Sequence, residues 1–401
     1  MRISTSQIFQ TGASRLMDGQ SKLYKLQNQL STEKKFLTAQ DDPVAAAQVL
    51  ITSHALGVNT QYADNQANAA SQLGLEETRL QSVIDSIQYI MEQAVAGSNQ
   101  ILSDSQREYF AKDWQGQFEF LLGMANSADA NGYYLFSGYQ GHTQPFQKMA
   151  NGVVAYVGDS GQRLLQVGAS RQIAVSDSGY DIFQAIRTGN GTFAMTAAAA
   201  NTGTGVIGGG TVTDITAWTG DNYQIQFTSP TNFTVTDTTT STVVGSYTYT
   251  AGTSITAIPG ISFSIGGNPA AGDTFDISPS TDQSLFTTLG NMIAALSTDI
   301  AGNPVAAASV QNILNAERAN LDRALENMST VQASIGSRRV ELNELTDVSS
   351  MLDLQYKERI SNLEDIDWAE VISAFTQQQT QLEAAQSSFA RITSLSLFNY
   401  L

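Results

Sequence analysis

Two stretches near opposite ends of the chain repeat an apolar residue every seventh position. Phe9, Leu16, Leu23 and Leu30 form the first series, with Ala13, Gln20 and Gln27 between them. Trp368, Phe375, Leu382 and Phe389 form the second, with Ile372, Gln379 and Gln386 between them. A seven-residue repeat is how a helix buries a seam against another helix. Both intermediate sets contain Gln, which weakens a seam but fixes its register. The ends therefore read as matching helical seams that need partners to bury them.

Asp41-Asp42-Pro43 closes the first segment and starts the next helix. A carboxylate there caps free N–H groups, and Pro in the first turn has no N–H to lose. The helix runs to about Ala96 on a stripe of Ile51, Ala55, Val58, Tyr62, Ala69, Leu73, Leu80, Ile84, Ile87 and Met91. A rod of roughly 75 Å follows from the helical rise. Its natural antiparallel partner is the stripe from Val310 through Leu321, Met328, Ile335 and Leu342 to Tyr356, which steps by four and three. A third helix opens at Ser103 or Ser105, with Gln106 or Glu108 completing a capping box.

Between the rods the pattern changes. Tyr133-Tyr134-Leu135-Phe136 reads as an aromatic strand, and Val153–Val157 and Leu164–Val167 as further strands. Tyr223-Gln-Ile225-Gln-Phe227, Phe233-Thr-Val235 and Ile261-Ser-Phe263-Ser-Ile265 alternate with period two, predicting an all-β module with one wet face. The predicted class is α+β: long antiparallel helical rods and terminal coiled-coil helices around a β-rich central surface region. The expected segments are 1–42 (terminal seam), 43–130 (rod), 131–200 (mixed β), 201–281 (β module), 282–363 (rod) and 364–401 (terminal seam).

Composition narrows the function. Charged residues are only 14% of the chain, and 37 acidic against 20 basic side chains give a net charge of −17. No basic cluster exists to neutralise phosphates, which argues against nucleic acid and anionic membrane as partners. Arg338-Arg339 lies beside Glu341 and Glu344 and reads as a salt-bridged helix face. Cys is absent, which removes disulfides, thiolate metal sites and cysteine nucleophiles together. The two histidines, His54 and His142, lie in different elements, too few for a Ser-His-Asp triad or a His-rich metal site.

Gly203-Thr-Gly205-Val-Ile-Gly208 matches the dinucleotide fingerprint in letters but lacks the strand before and helix after that hold a pyrophosphate. It reads as a flexible linker. Glu364, Asp365, Asp367 and Glu370 suit a helix N-terminus better than a metal. No catalytic residue, metal or cofactor is predicted, and the chain reads as a structural subunit, not an enzyme. The N-terminus lacks the apolar core of roughly 7–15 residues of a cleaved signal, and no run approaches the roughly 18 residues of a membrane span. Export without a cleaved signal is one expectation, cytoplasmic residence the other. The apolar end, Leu395, Leu397, Phe398 and Leu401, either docks on the chain's own core or serves as an assembly tail covered by a partner.

Taken together, paired helical ends, a polar β middle, no Cys and no cleaved signal resemble the flagellin superfamily. Met1-Arg2-Ile3-Ser4-Thr5, Asp41-Asp42-Pro43, Asn131-Gly-Tyr-Tyr-Leu-Phe-Ser-Gly138 and Leu397-Phe-Asn-Tyr-Leu401 are similar to its hook–filament junction branch, while Asp367-Trp-Ala-Glu370 followed by Gln377-Gln-Gln-Thr380 is similar to the superfamily's terminal helix. The resemblance covers about 1–187 and 283–401. Gly267-Asn-Pro-Ala-Ala-Gly-Asp-Thr-Phe275 resembles a stretch of larger hook-associated proteins. The resemblance implies a ring of identical subunits on the extracellular flagellum, between a hook-side junction protein and flagellin. It also implies unfolded type III export and a cytoplasmic chaperone that covers the C-terminal helix. Glu33 departs from the family, whose members usually carry Gly there, so a different local turn is expected. Two alternatives stay open: a filament flagellin, and a flagellin-type subunit whose β module is an adhesin stacking sugars on Trp218, Tyr223, Tyr247 and Tyr249.

Overall fold

The computed structural model describes residues 5–97, 102–150 and 152–394. Its helices are α1 (Thr5–Thr32), α2 (Pro43–Gly97), α3 (Asp104–Ala125), α4 (Gly179–Phe183), α5 (Leu285–Leu296), α6 (Pro304–Glu364) and α7 (Trp368–Ser394). Two compact units result, one from residues 65–343 and one from 1–64 with 344–401. The fold is the expected mixture of terminal helices and central antiparallel sheets.

In the 65–343 unit, α2 buries Gln66, Leu73, Leu80, Ile87 and Ala94, interleaved with Ala69, Glu76, Val83 and Ile90. Both series advance by sevens, so one face of the helix is continuous. Its partner α6 buries Val310, Leu314, Leu321, Ala324, Met328, Ile335 and Leu342, all on the stripe read from the sequence. The two run antiparallel: the Gln332 amide donates to Gln81 Oε1 at 2.7 Å, and Arg339 pairs with Glu77. Ser103 caps α3 in a capping box with Gln106. Against α3's Trp114, Phe118 and Leu121 lie Phe286, Leu289 and Met292 of α5, all buried. Phe118 and Phe286 meet edge to face at 5.6 Å, and Phe146 and Phe183 extend the cluster. Truncating such a ring costs about 3–5 kcal/mol.

Two buried acids tie elements together. Glu76 accepts the Asp177 N–H at 3.0 Å, and Asp177 in turn takes Arg338 and the Gln162 amide. Burial first, then the Asp177 charge, pushes the Glu76 carboxyl up to about 8, so it carries a proton at neutral pH. Glu317 receives amide N–H groups from Gln283, Asn291 and Asn320, which offset part of its burial and link α5 to α6. Burial still raises its pKa above the ordinary value.

Short hairpins pack beside these helices. β1 (Phe146–Lys148) pairs β2 (Val154–Tyr156), and β3 (Leu164–Gly168) pairs β4 (Arg171–Ala174). β5 (Ile186–Arg187) pairs with β15 (Asp282–Gln283), and everything between them is the β module. Its strands are β6 (Phe193–Ala197), β7 (Val206–Ile207), β8 (Thr211–Val212), β9 (Tyr223–Ser229), β10 (Asn232–Asp237), β11 (Thr242–Thr248), β12 (Ser254–Ile255), β13 (Ile261–Gly266) and β14 (Thr274–Pro279). Five form an antiparallel sheet in the order β11-β10-β9-β14-β6; β13 carries β12, β7 and β8 in the second sheet. The period-two residues face inward: Tyr223, Ile225, Phe227, Phe233, Val235, Ile261, Phe263 and Ile265 are all buried in one cluster.

Three expectations change here. Tyr133–Phe136 is not a strand; the Asp129 carboxylate captures the Asn131 and Tyr133 N–H groups at 2.8 and 2.9 Å and winds the segment into turns. Gly203–Gly208 is not a flexible linker. Asp273 accepts the Thr202, Gly203 and Ala270 N–H groups at 2.7, 3.1 and 2.8 Å, and Val206-Ile207 is a strand. Asn312 of α6 reads that strand's backbone, accepting from Ile207 N at 2.7 Å and donating to Gly205 O at 2.9 Å. The aromatics of the sugar-stacking alternative are also drawn inward. Trp218, Tyr223, Tyr247 and Tyr249 pack onto the module's own core, Tyr247 stacked on Phe233 at 5.6 Å.

Candidate assembly interface

The unit built from the two chain ends holds α1, α7 and the outer parts of α2 and α6. Its segments are pinned to one another largely by polar contacts. After α1, Glu33 adopts a left-handed conformation at φ 61°, so the turn keeps a shape that suits Gly although Glu occupies it. From there Glu33 O accepts Ile366 N at 3.1 Å, Lys35 N donates to Glu364 O at 2.6 Å, and Lys34 pairs with Glu364 at 2.5 Å. The segment after α1 is thereby laced to the α6–α7 turn.

Asp42 caps α2, accepting Val44 and Ala45 N–H at 3.1 and 2.9 Å ahead of Pro43. Asp41 instead closes the preceding loop, accepting Leu37 and Thr38 N–H and pairing with Lys25 at 2.7 Å. That lysine bond, then the two backbone N–H groups, holds its carboxyl down at about 2. Asp367 caps α7 through Ala369 and Glu370 N–H at 2.9 and 3.2 Å.

α1 and α7 pack against each other antiparallel. Phe9 meets Phe389 edge to face at 6.0 Å, and the Gln378 amide reaches Gly19 O at 3.4 Å. The seven-step residues Phe9, Leu16, Leu23, Leu30, Phe375, Leu382 and Phe389 are all half-buried. The intermediate positions of this seam are not those read from the sequence. Gly12, Gly19 and Leu26 occupy it on α1, Val371 and Gln378 on α7, each one residue earlier than expected. The reason is close approach. A Cβ at Gly12 would stand 2.8 Å from the Phe389 ring, and one at Gly19 3.2 Å from Leu382. A search for apolar side chains passes over such glycines.

The residues named from the sequence lie on the neighbouring flank. Gln20, Gln27, Ile372, Gln379, Gln386 and Trp368 are exposed, and Ala13 is half-buried. One residue along a helix is a turn of about 100°, enough to move a position off the seam. The α1 flank also exposes Met17 at 69% and Tyr24 at 66%. In α2 the same rotation occurs: Thr52 and Asn59 are buried, while Ile51 is exposed at 70%. The Asn59 amide donates to the backbone O of buried Ser349 at 2.8 Å. At these positions, polar residues are turned inward and an apolar one outward. Among the described residues of this unit, Ile366 is the one buried hydrophobic side chain. Leu395, Leu397, Phe398 and Leu401 lie outside the described residues.

Among the described residues no helix is long and apolar enough to cross a membrane, and no group of three metal-ligating His, Cys, Asp or Glu residues occurs. Comparison with known proteins gives concordant matches. Residues 3–141 match the bacterial flagellin N-terminal helical region, 319–401 the flagellin C-terminal helical region, and 196–279 the D2-like domain of flagellar hook-associated protein 1. Over 398 residues, 99% of each chain, the sequence is 29% identical to flagellar hook-associated protein 3 of Salmonella typhimurium. The fold is similar to the crystal structure of Xanthomonas campestris FlgL, with TM-score 0.73 and 31% identity over 77% of this chain and 99% of that one. It is similar also to the flagellar junction protein FlgL from Legionella pneumophila, with TM-score 0.69 and 31% identity over 78% of this chain and 100% of that one.

Proposed function

Since the chain belongs to the flagellar hook-associated protein 3 (FlgL) family, we propose that it is a structural subunit at the junction between the flagellar hook and its filament. The observation that carries this reading is the shallow burial of the terminal unit. A folded part whose described residues bury one hydrophobic side chain and expose Met17, Tyr24, Ile51, Trp368 and Ile372 is built to be finished by neighbours.

In this reading the half-buried face of α1 and α7 is satisfied within the chain. The mirrored flanks, Ala13, Gln20 and Gln27 on one helix and Trp368, Ile372, Gln379 and Gln386 on the other, face other subunits. Gln side chains there would set register by hydrogen bonding as copies close into a ring. The hook-side junction protein and flagellin are the partners above and below. The subunit acts outside the cell after export, and a cytoplasmic chaperone covers the C-terminal segment through Leu395, Leu397, Phe398 and Leu401 beforehand. No chemistry on a substrate is part of the function.

Deleting the gene tests this. Cells should make hooks without filaments and release flagellin into the medium, with both defects repaired by the full chain. A deletion that still bears filaments would move the protein out of the junction.

A further inference from the structure

The last third of α6 carries two stripes. One, Leu342, Leu345, Ser349, Leu352 and Tyr356, is buried or half-buried. The other, Glu344, Asp347, Met351, Leu354 and Glu358, advances by the same alternation of three and four on the far side, and every member is exposed. Met351 and Leu354 are open at 66% and 69%. That spacing is what a helix presents to a second helical partner, and here the stripe is an apolar pair bracketed by carboxylates.

Elsewhere in the same unit is a surface of opposite character. Between α1 and α7 runs a groove of about 310 Å³ lined by Lys22, Lys25, Leu26, Gln29, Ala374, Gln377, Gln378 and Gln381. Its floor is aliphatic and its rim carries ammonium and amide donors. Lys25 is engaged by Asp41, whereas Lys22 has no ion pair among the described residues. Charges sort the same way. α1 holds Arg15, Lys22 and Lys25 against Asp18, a net of +2. Residues 344–364 hold five carboxylates against Lys357 and Arg359, a net of −3.

We infer that the groove receives the Glu344–Glu358 stripe of a second copy. This rests on the assembly reading above and adds to its flanks a second pair of faces that meet. Met351 and Leu354 lie over Leu26 and Ala374, and the flanking carboxylates take the Lys22 ammonium and the glutamine amides. Opposite charge selects this pairing over groove with groove or stripe with stripe, either of which sets like charges together. Groove and stripe are different surfaces, so the contact is head-to-tail and repeats from copy to copy until it closes.

The test uses full-length protein on isolated flagella. Lys22→Glu should lower the amount retained there by about tenfold, a loss typical of reversing a charge that selects a partner. Adding Asp347→Lys and Glu358→Lys to the same chain should restore it. Carbodiimide treatment of flagella bearing two isotopically distinct copies should join Lys22 of one to Glu344, Asp347 or Glu358 of the other. Normal retention of Lys22→Glu, or cross-links from Lys22 only to a different flagellar protein, would overturn the inference. Absence of the unmodified chain from purified flagella would instead defeat the junction reading itself.

Discussion

The two units of this chain use helices of similar make to opposite ends. In residues 65–343, α2 and α6 face each other with Leu73, Leu80, Met328 and Ile335 inside, and α3 and α5 add a ring cluster around Phe286. In the terminal unit the same two helices face inward with Thr52, Asn59 and Ser349 and leave Ile51, Met351 and Leu354 in water. A polar seam is weaker than an apolar one but tolerates only registers that satisfy its hydrogen bonds. On the assembly reading proposed above, stability and assembly are divided along the same helices: one stretch supplies a core, the other an adhesive surface held in a defined register.

The sharpest way to break this comparison is amide exchange on the monomer. Core amides of α2 and α6 within 65–343 should be protected by orders of magnitude more than those of 5–64 and 344–394, because opening free energy tracks buried apolar contact. Limited proteolysis should remove both ends first, leaving a resistant piece within about 43–356. Equal protection of the two units would end the division of labour.

Next in size, Phe286→Ala should lower the stability of the 65–343 unit by about 4 kcal/mol, read from its denaturant midpoint. Phe389→Ala should leave that midpoint unchanged while depleting the protein from flagella. If the second substitution moved the midpoint as far as the first, the terminal helices would be part of the core.

Glu76 gives the comparison a pH axis. Its folded pKa of about 8 lies above the ordinary carboxyl value of 4.5, so its contribution is complete below pH 4.5 and is lost as pH rises through 8. The denaturant midpoint of the 65–343 unit should fall across that window, and Glu76→Gln should flatten the profile. The terminal unit supplies a carboxylate of opposite sign. The Asp41 pKa is lowered to about 2 from 3.8, so its contribution is present above 3.8 and fades as pH falls toward 2. Smallest of all, Glu33→Gly should relieve the left-handed turn and slow exchange near residues 33–36, a gain of about 1 kcal/mol. Faster exchange there would show that the Glu33 side chain stabilises the turn.

Much of this was readable in the residues, for particular reasons. The α6 stripe from Val310 to Tyr356 is correct throughout because its buried positions are mostly large and apolar, with Glu317 and Ser349 held by the spacing around them. The β module was legible because its inner residues alternate without interruption. Terminal seams were legible only in their seven-step members. Gly12 and Gly19 work by lacking a side chain, and no count of apolar residues detects that. Turns around Asp129 and the strand at Val206 depend on carboxylates and amides reaching backbone atoms far along the chain, such as Asn312 to Gly205, and local pattern carries no trace of them. The exposed flanks were found as seams because periodicity reports that a face is specified, not which molecule covers it.

The β5–β15 pair has a consequence for how the chain can vary. Arg187 and Asp282 are partners in the ladder, and Thr188 N donates to Thr281 O at 2.9 Å. The chain thus leaves the helical frame and returns to it at one point, about 5 Å across the ladder. Topologically, everything from 188 to 281 is a loop closed by a two-residue staple. Its length and contents can drift, shrink or be exchanged as long as the staple still closes and a strand still meets Asn312 of α6.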